Sequence, residues 1–175
     1  MIPNIFITSD HHFGSWKNKL SLMRVFNEFQ ENKLISKWNN LVKFNDIVIY
    51  NGDFHDCNVK DLIEYRQKLN GKIILVKGNH DILTDDVYNA IFEKTVESLD
   101  CKDFIVHHQP DSSKCFQIYG HVHRTNEKPS IDGFCSCVQY HNGYPILIED
   151  AISNDKFVRQ IRNQCTSLLT TLNKC

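Results

Sequence analysis

The stretch that decides the fold is Asp46–Asp56, which reads D-I-V-I-Y-N-G-D-F-H-D. Its apolar, β-prone first half predicts a buried strand, and glycine and charged residues follow that strand at once. Two other runs have the same form, because Asn4–Ser9 and Lys72–Lys77 also lead into polar residues. The first half of the chain is therefore predicted to contain three strands with polar carboxyl ends.

Helices are predicted between these strands. Residues 19–43 carry apolar side chains at three- and four-residue steps, and this stripe, which includes Phe29 and Trp38, is expected to face the core. Val59–Leu69 is predicted as a second helix that Asn70-Gly71 would end. The resulting β-α-β-α-β order predicts an α/β fold that begins with parallel strands.

The second half of the chain has short strand-like runs with little room for helices between them. They are Phe104–Val106, Phe116–Tyr119, Cys137–Tyr140 and Ile146–Ile148. We expect them to form a second, more antiparallel sheet. A single apolar stripe over residues 155–172 predicts a final helix. One domain over residues 1–175 is expected, with the motifs within 1–150 and a C-terminal helix within 151–175.

Composition limits the classes of function. The chain has 175 residues, with 20 Lys plus Arg against 21 Asp plus Glu and a net charge of −1. A strongly basic surface for long nucleic acids is excluded, since such surfaces need a positive field. The longest aliphatic run, Ile73–Val76, is far too short for a membrane span. No signal-peptide pattern opens the chain, and its seven Cys include no C-x-x-C pair. A reduced, cytoplasmic protein without membrane association is therefore expected.

Five polar clusters follow strand-like runs and carry the chemistry. They are Asp10-His11-His12, Gly52–Asp56, Gly78–Asp81, His107-His108 and Gly120–His123. Because ligands of open α/β sheets bind beyond the carboxyl ends of strands, we expect these clusters to converge on one rim. Imidazole, carboxylate and amide ligands suit Mn, Fe, Zn, Co or Ni, and Mn is favoured. None of the clusters contains Cys, so a thiolate zinc site is not indicated.

The supply of ligands exceeds the needs of one tetrahedral ion. Two divalent ions that share a carboxylate are the economical interpretation, and such ions lie about 3.5–4 Å apart. The positive charges of the two ions would exceed the negative charges of two ligating Asp and a shared hydroxide by about one. This net positive charge would attract a phosphate oxyanion. Metal coordination would also lower the pKa of bound water toward about 7.

The order of these clusters resembles that of the calcineurin-like metallophosphoesterases. The family motifs D-x-H, G-D-x-x-D, G-N-H-[DE], a lone H and G-H-x-H all occur in that order before residue 150. In size, the chain is similar to the compact bacterial and phage members that lack a cap domain. The resemblance implies a four-layer α/β/β/α sandwich, in which two mixed β-sheets pack together between flanking helices.

The resemblance also implies a ligand set for two metal ions. The first ion would be held by Asp10, His12 and His123. The second ion would be held by Asn79, His121 and the histidine of the fourth motif. Asp53 would bridge the two ions.

Two residues are implied in catalysis. A metal-bridging hydroxide would attack phosphorus in line, and His80 would assist the leaving group. Asp81 would orient His80.

The fourth motif is doubled, because His107 and His108 both precede Gln109-Pro110. Compact relatives have H-x-P here, which favours His108 and leaves His107 as the alternative. The segment 111–119 that follows is short, so an open, shallow site with weak substrate discrimination is expected.

Other polar residues near the motifs have weaker assignments. His55 and Asp56 are expected beside the ligands, with a surface position as the alternative for His55. Arg124 could meet a substrate phosphate, and an ordinary solvated role is its alternative. His11 should point away from His12, since neighbours in a strand alternate faces.

The function that the resemblance implies is a dinuclear-metal-dependent phosphohydrolase. A phosphodiesterase is favoured because the site is expected to be open and without a cap, and its substrate would be a small phosphoester such as a nucleotide or cyclic nucleotide. A phosphomonoesterase acting on a nucleotide or phosphoprotein is the alternative. A nuclease for short oligonucleotides and a catalytically inert binding module are further alternatives. The sequence predicts neither the natural substrate nor the oligomeric state.

Overall fold

Two sheets and their helices account for the described part of the chain, which a computed structural model gives for residues 2–17, 26–112, 115–123 and 132–170. The strands are β1 Ile5–Thr8, β2 Ile47–Asn51, β3 Lys72–Val76, β4 Lys94–Val96, β5 Leu99–Cys101, β6 Phe104–Val106, β7 Phe116–Tyr119, β8 Gly133–Cys135 and β9 Ile146–Leu147. The helices are α1 Glu28–Leu41, α2 Val59–Gln67, α3 Asp85–Asn89, α4 Ile148–Ala151 and α5 Asp155–Thr170. Within these ranges, no helix combines the length and the apolarity that crossing a membrane requires.

The first sheet has the strand order β4-β3-β2-β1-β9. Its strands β1 to β4 are parallel, as predicted for β1 to β3, and β9 runs antiparallel to β1. Parallel neighbours need a long crossover connection, which α1 and α2 provide. The carboxyl ends of β1, β2 and β3 therefore lie at one edge of the sheet, with a polar cluster beyond each.

The second sheet has the strand order β5-β6-β7-β8. Only β5 and β6 are antiparallel, whereas β6 with β7 and β7 with β8 are parallel. The expectation of a more antiparallel sheet was therefore wrong. Residues 107–115, which join β6 to β7, are too many for the tight turn of a β-hairpin.

Alternating side chains of the first sheet pack on its two faces. In β2, Ile47 and Ile49 join the core between the two sheets, to which Ile161 of α5 also belongs. Val48 and Tyr50 face the opposite side and pack in the core that the first three helices cover. The predicted fold class is confirmed, since two mixed sheets pack together with flanking helices.

Two segments predicted for the second sheet have other structures. Val138–His141 is a short 3-10 helix rather than part of a strand, and it ends where Asn142 takes a φ of 54°. Ile146–Leu147 is a strand, but it pairs with β1 in the first sheet, and α4 begins at Ile148. Runs this short carry too little periodicity to reveal their type or partner.

The long helix predictions agree with the structure where it is described. α1 begins at Glu28, where the side chain of Asn27 caps it, and residues 19–25 of the prediction lie outside the described residues. Trp38 is fully buried, but Phe29 is 66% exposed, so the predicted apolar stripe was wrong at that position. Residues 171–175, at the end of the last predicted helix, are also outside the described residues.

Candidate metal centre

A buried asparagine joins the two sheets at the rim. Asn51, the last residue of β2, donates hydrogen bonds from Nδ2 to the carbonyl oxygens of His107 and Ile118, at 3.1 and 3.2 Å. Nδ2 also lies 3.2 Å from Oγ of Ser136. These contacts connect the carboxyl edge of the first sheet with that of the second. The polar clusters that follow β1, β2, β3, β6 and β7 thereby reach a common rim.

Three overlapping groups of side chains at this rim each bring their ligand atoms within 4.8 Å of one another. The groups are Asp10, His12, Asp53 and His123; Asp53, His108 and His121; and His12, Asp56 and His80. Asp53 belongs to both of the first two groups. Because a carboxylate has two oxygens that can serve two ions, this shared membership fits a two-metal site.

The backbone of the rim is strained where these side chains are attached. Positive φ angles occur at Asp10 (63°), His12 (47°), Asp53 (57°), His121 (67°) and His123 (41°). Asn142 is the one other non-glycine residue with positive φ in the described ranges. Such a conformation costs about 1–3 kcal/mol per residue and persists only where the surrounding structure holds it. The strain is therefore concentrated on residues predicted to bind metal.

Asp53 and His108 form the electrostatic centre of the site. His108 Nδ1 bonds the carbonyl oxygen of Asn51 at 2.7 Å, and its Nε2 lies 3.1 Å from Asp53 Oδ2. Burial would raise the pKa of Asp53, but the adjacent His108 lowers it to about 2. Burial would likewise lower the pKa of His108, but Asp53 and Asp10 raise it to about 9. The site thus stabilises the ionised carboxylate of Asp53. Beside it lies the His108 imidazole, which is stabilised when it binds a proton or another cation.

The orientation of two histidines tests whether a metal ion fits here. His12 Nδ1 lies 3.1 Å from Asp56 Oδ2, and His12 Nε2 lies 3.3 Å from His123 Nε2. When Nδ1–H donates to Asp56, a neutral His12 presents a lone pair at Nε2, as metal-binding histidines do. His108 Nε2 is likewise buried without a hydrogen-bond partner, while its Nδ1 is occupied by the Asn51 carbonyl. The donor set and its supporting bonds therefore fit divalent cations.

His121 and Asn79 extend the second group toward solvent. His121 Nδ1 lies 2.9 Å from Asn79 Oδ1, and its backbone N–H donates to Asp10 Oδ1 at 3.0 Å. Burial and the nearby His108 lower the pKa of His121, which favours its neutral, ligating form. Asn79 itself is exposed.

The doubled histidine of the fourth motif is separated by the structure. His107 is half-buried, and its Nε2 lies 2.6 Å from Gln117 Oε1. His108 is the member beside Asp53. The favoured assignment of His108 therefore agrees with the geometry, and its ligand role stays a prediction.

The contact expected between Asp81 and His80 is made by another carboxylate. His80 Nδ1 lies 2.7 Å from Asp56 Oδ1, so Asp56 connects His80 with His12. The fully buried side chain of Asp81 accepts hydrogen bonds from the backbone N–H groups of Asp53, Phe54 and Gly78. Asp81 thus holds the two loops together, and orientation of His80 by Asp81 is corrected to orientation by Asp56. The motif G-N-H-D places Asp81 directly after His80 and so suggested the wrong partner for His80. The side chains of adjacent residues in a turn need not point the same way.

Two glycines allow the backbone to approach the carboxylates. A Cβ at Gly78 would lie 2.2 Å from Asp53 Oδ1, and a Cβ at Gly120 would lie 2.6 Å from Asp10 Oδ2. These distances are too short for a real Cβ atom. Any residue other than glycine would therefore fit at these two positions only if the carboxylates of Asp53 and Asp10 moved.

The remaining predicted residues lie away from the ligand atoms or outside the described chain. His55 is buried, with Nε2 3.1 Å from the hydroxyl oxygen of Tyr88, which excludes the surface alternative. His11 points away from the rim, with Nδ1 2.7 Å from the hydroxyl oxygen of Tyr50, and burial lowers its pKa to about 3. Arg124 lies outside the described residues.

Sequence reasoning missed Glu31, which supports the loop after His12. Although it lies in α1, Glu31 is only 1% exposed. Its carboxylate accepts hydrogen bonds from the backbone N–H of Gly14 at 2.8 Å, from Trp16 Nε1 at 2.9 Å and from the hydroxyl of Tyr65 at 2.6 Å. A single Glu in a helix usually faces solvent, so the sequence held no signal for this role.

Comparisons with known proteins agree with the family and the fold that the sequence predicts. The family model for calcineurin-like phosphoesterases matches residues 3–162. An uncharacterized protein from Methanocaldococcus jannaschii is 30% identical over 177 residues, covering 91% of this chain and 97% of its own length. The crystal structure of a protein of unknown function from Aquifex aeolicus is similar in fold, with a TM-score of 0.67, 21% identity, and coverage of 85% of this chain and 97% of that one. The chain belongs to the calcineurin-like phosphoesterase family.

Proposed function

We propose that this protein is a phosphohydrolase with two divalent metal ions, and more narrowly a phosphodiesterase. The observation that carries the proposal is the position of Asp53, which belongs to two separate groups of ligand atoms. One buried carboxylate shared by two such groups is the arrangement by which two-metal hydrolases hold both ions at one phosphate.

Each ion would have its own ligands in addition to Asp53. The first ion would be bound by Asp10, His12 and His123, and the second by Asn79, His108 and His121. When bound, the two ions would supply a water nucleophile of lowered pKa and positive charge to hold the phosphate oxygens. Mn²⁺ is our choice, since nitrogen and oxygen ligands without thiolate suit it, and Fe, Zn, Ni and Co are the competing ions.

His80 is proposed to protonate the leaving oxygen. Its side chain is 30% exposed at the rim, and its Nδ1 faces Asp56. With Nδ1–H donated to that carboxylate, a protonated ring would hold its second proton on Nε2, where a substrate can reach it. Asp56 would stabilise this imidazolium and fix the orientation of its ring.

The charge around the rim favours a diester over a monoester. Lys17 is the one Lys or Arg among the described residues that line the cleft beside His80, and its Nζ is paired with Asp61 at 2.9 Å. A dianionic monoester would gain little from a cation that is already neutralised, whereas a monoanionic diester does not need one. We also expect a cytoplasmic protein, because the described residues include the free thiols Cys57, Cys101, Cys137 and Cys165.

The test compares hydrolysis of bis-p-nitrophenyl phosphate with that of p-nitrophenyl phosphate in the presence of Mn²⁺. The variants are wild type, His80→Ala and, as the matched control, His107→Ala, with metal content measured for each by plasma mass spectrometry. We expect two metals per chain in all three and a loss of diester turnover of about 100-fold or more in His80→Ala alone.

The other outcomes favour the alternatives. Turnover of the monoester without the diester would show a phosphomonoesterase, acting on a nucleotide or phosphoprotein. Absence of turnover with two metals bound would support an inert binding module. Tight, salt-sensitive binding of single-stranded DNA would support a nuclease for oligonucleotides.

A further inference from the structure

A cleft of about 580 Å³ opens beside His80. It is lined by Asp56, Asn79 and His80, and also by Lys17, Asp61 and Ile82. A volume of this order is typical of sites for small molecules. The cleft is therefore continuous with the proposed catalytic group and large enough for a substrate moiety.

The described residues that line the cleft offer no unpaired cation to a second phosphate group. Lys17 donates a hydrogen bond from Nζ to Asp61, so the cation and this carboxylate neutralise each other. The Asp56 carboxylate faces His80 Nδ1 at 2.7 Å, and a protonated His80 would neutralise it in the same way. A phosphate in the cleft would therefore gain little from the charges of these residues, which disfavours its binding.

Asp61 offers hydrogen-bond acceptors to a ligand in the cleft. Asp61 accepts from Lys17 at one oxygen and from Asn58 Nδ2 at the other, at 3.0 Å. Each carboxylate oxygen has a second lone pair, so hydroxyl groups of a ligand can still donate to Asp61.

An apolar surface adjoins these polar groups. Ile82 is 84% exposed, and its backbone N–H donates to the carbonyl oxygen of His80 at 3.0 Å. The side chain of the preceding residue, Asp81, accepts hydrogen bonds from three backbone N–H groups, which hold it in place. Ile82 is thus an exposed side chain on a rigid turn directly after the proposed acid, and its removal from water by a ligand would be favourable.

We propose that this cleft binds the leaving alcohol of the substrate, and that this alcohol is uncharged and carries both a ring and free hydroxyl groups, the class to which nucleosides belong. This inference rests on the proposed function. The ring lies on Ile82, the hydroxyls donate to Asp61, and the alcohol oxygen faces His80. Alcohols that bear another phosphate are disfavoured, because the cations among the described cleft residues are already paired with carboxylates.

The first experiment measures binding without catalysis. Thymidine is titrated into metal-free protein with ¹³C-labelled isoleucine methyl groups, and thymidine 5′-phosphate serves as the charged probe. We expect thymidine to shift the Ile82 methyl signal and thymidine 5′-phosphate to bind at least about fivefold more weakly. Asp61→Asn removes the carboxylate that pairs with Lys17. In this variant the difference in affinity between thymidine and thymidine 5′-phosphate should become smaller.

The second experiment measures catalysis with metal-loaded protein. Ile82→Ser should raise KM for bis-p-nitrophenyl phosphate about fivefold with kcat and metal content unchanged. Ile2→Ser, at a position that is 85% exposed and outside the cleft, is the matched control. A thymidine shift without any hydrolysis would refute the proposed function and retain the binding cleft. Hydrolysis with no thymidine shift and an unchanged KM in Ile82→Ser would overturn the cleft assignment alone.

Discussion

The rim has a buried half and an exposed half. In the buried half, the side chains of Asp10, His12, Asp53 and His108 are 0%, 0%, 2% and 3% exposed. In the exposed half, His80 and His123 are 30% and 16% exposed, and Asn79 is open to solvent. The residues of the buried half are also part of the core, so we expect the fold to depend on them. The residues of the exposed half stand on turns, and we expect them to serve chemistry with little effect on folding.

The largest expected contrast is between Asp53→Ala and Asn79→Ala. Loss of Asp53 removes the carboxylate nearest to the buried His108, and breaking such a pair costs about 3–5 kcal/mol. We expect this variant to lose both metals, most of its activity and that much unfolding free energy. Asn79→Ala should lose affinity for one metal and keep the stability of the metal-free chain. Urea unfolding of the metal-free proteins, beside metal titration, makes the comparison, and equal losses of stability in the two variants would contradict it.

A smaller effect is expected from Gly78→Ala. Its new Cβ would collide with Asp53, and overpacking of this kind costs about 1–3 kcal/mol. The control is Gly71→Ala, where the Cβ would lie 2.7 Å from Val42 Cγ1, away from the rim. Both variants should unfold at lower urea, but only Gly78→Ala should lower the metal content. Full metal content in Gly78→Ala would show that the loop can shift without loss of the ligands.

Asp56→Asn tests the link between the two halves, because Asp56 contacts both His12 and His80. Loss of a group that orients ligands in this way lowers metal affinity or activity about 10–100-fold. We expect a lower kcat, since His80 loses the carboxylate that faces its Nδ1 at 2.7 Å. The check is kcat at saturating metal, and a variant with wild-type kcat would remove Asp56 from the mechanism.

The smallest expected effect concerns Glu31, which supports the buried half from α1. Burial raises the pKa of Glu31, although Tyr65, Gly14 and Trp16 lower it in part. Because the folded pKa lies above the unfolded one, this group's contribution to stability is lost as pH rises through the interval between them. The glutamine side chain of Glu31→Gln does not ionise, so this variant lacks that pH-dependent loss of stability. Relative to wild type, its unfolding free energy should therefore increase as pH rises from about 4.5, the ordinary pKa of a glutamate, toward neutrality.

Urea midpoints of wild type and Glu31→Gln across that pH range provide the measurement. A difference that declines as pH rises would mean that the three hydrogen bonds favour the ionised carboxylate more than burial opposes it. Glu31→Ala, which leaves three donors without an acceptor, should lose more stability than Glu31→Gln at every pH.

The sequence could predict the rim because its information is local. Polar clusters directly after apolar runs locate strand ends, and parallel strands bring those ends to one edge. Short elements were missed: β4, β5 and β8 derive their order from distant partners rather than from their own residues. Side-chain partners were also hidden, since the contact of Asp56 with His80 depends on loop conformations with positive φ. Glu31 was missed for the same reason, because burial of a helical Glu is decided by the loop that packs on it.

The bonds of Asn51 also constrain the order of events during folding. The predicted ligands that follow strands of the first sheet are Asp10, His12, Asp53 and Asn79, and those that follow strands of the second sheet are His108, His121 and His123. Neither sheet alone would carry the full set of predicted ligands, so tight metal uptake would follow the packing of the two sheets that Asn51 connects. The rate at which a refolding chain acquires metal would therefore report the packing of the two sheets against each other. The ions would stabilise a nearly folded protein rather than nucleate its folding.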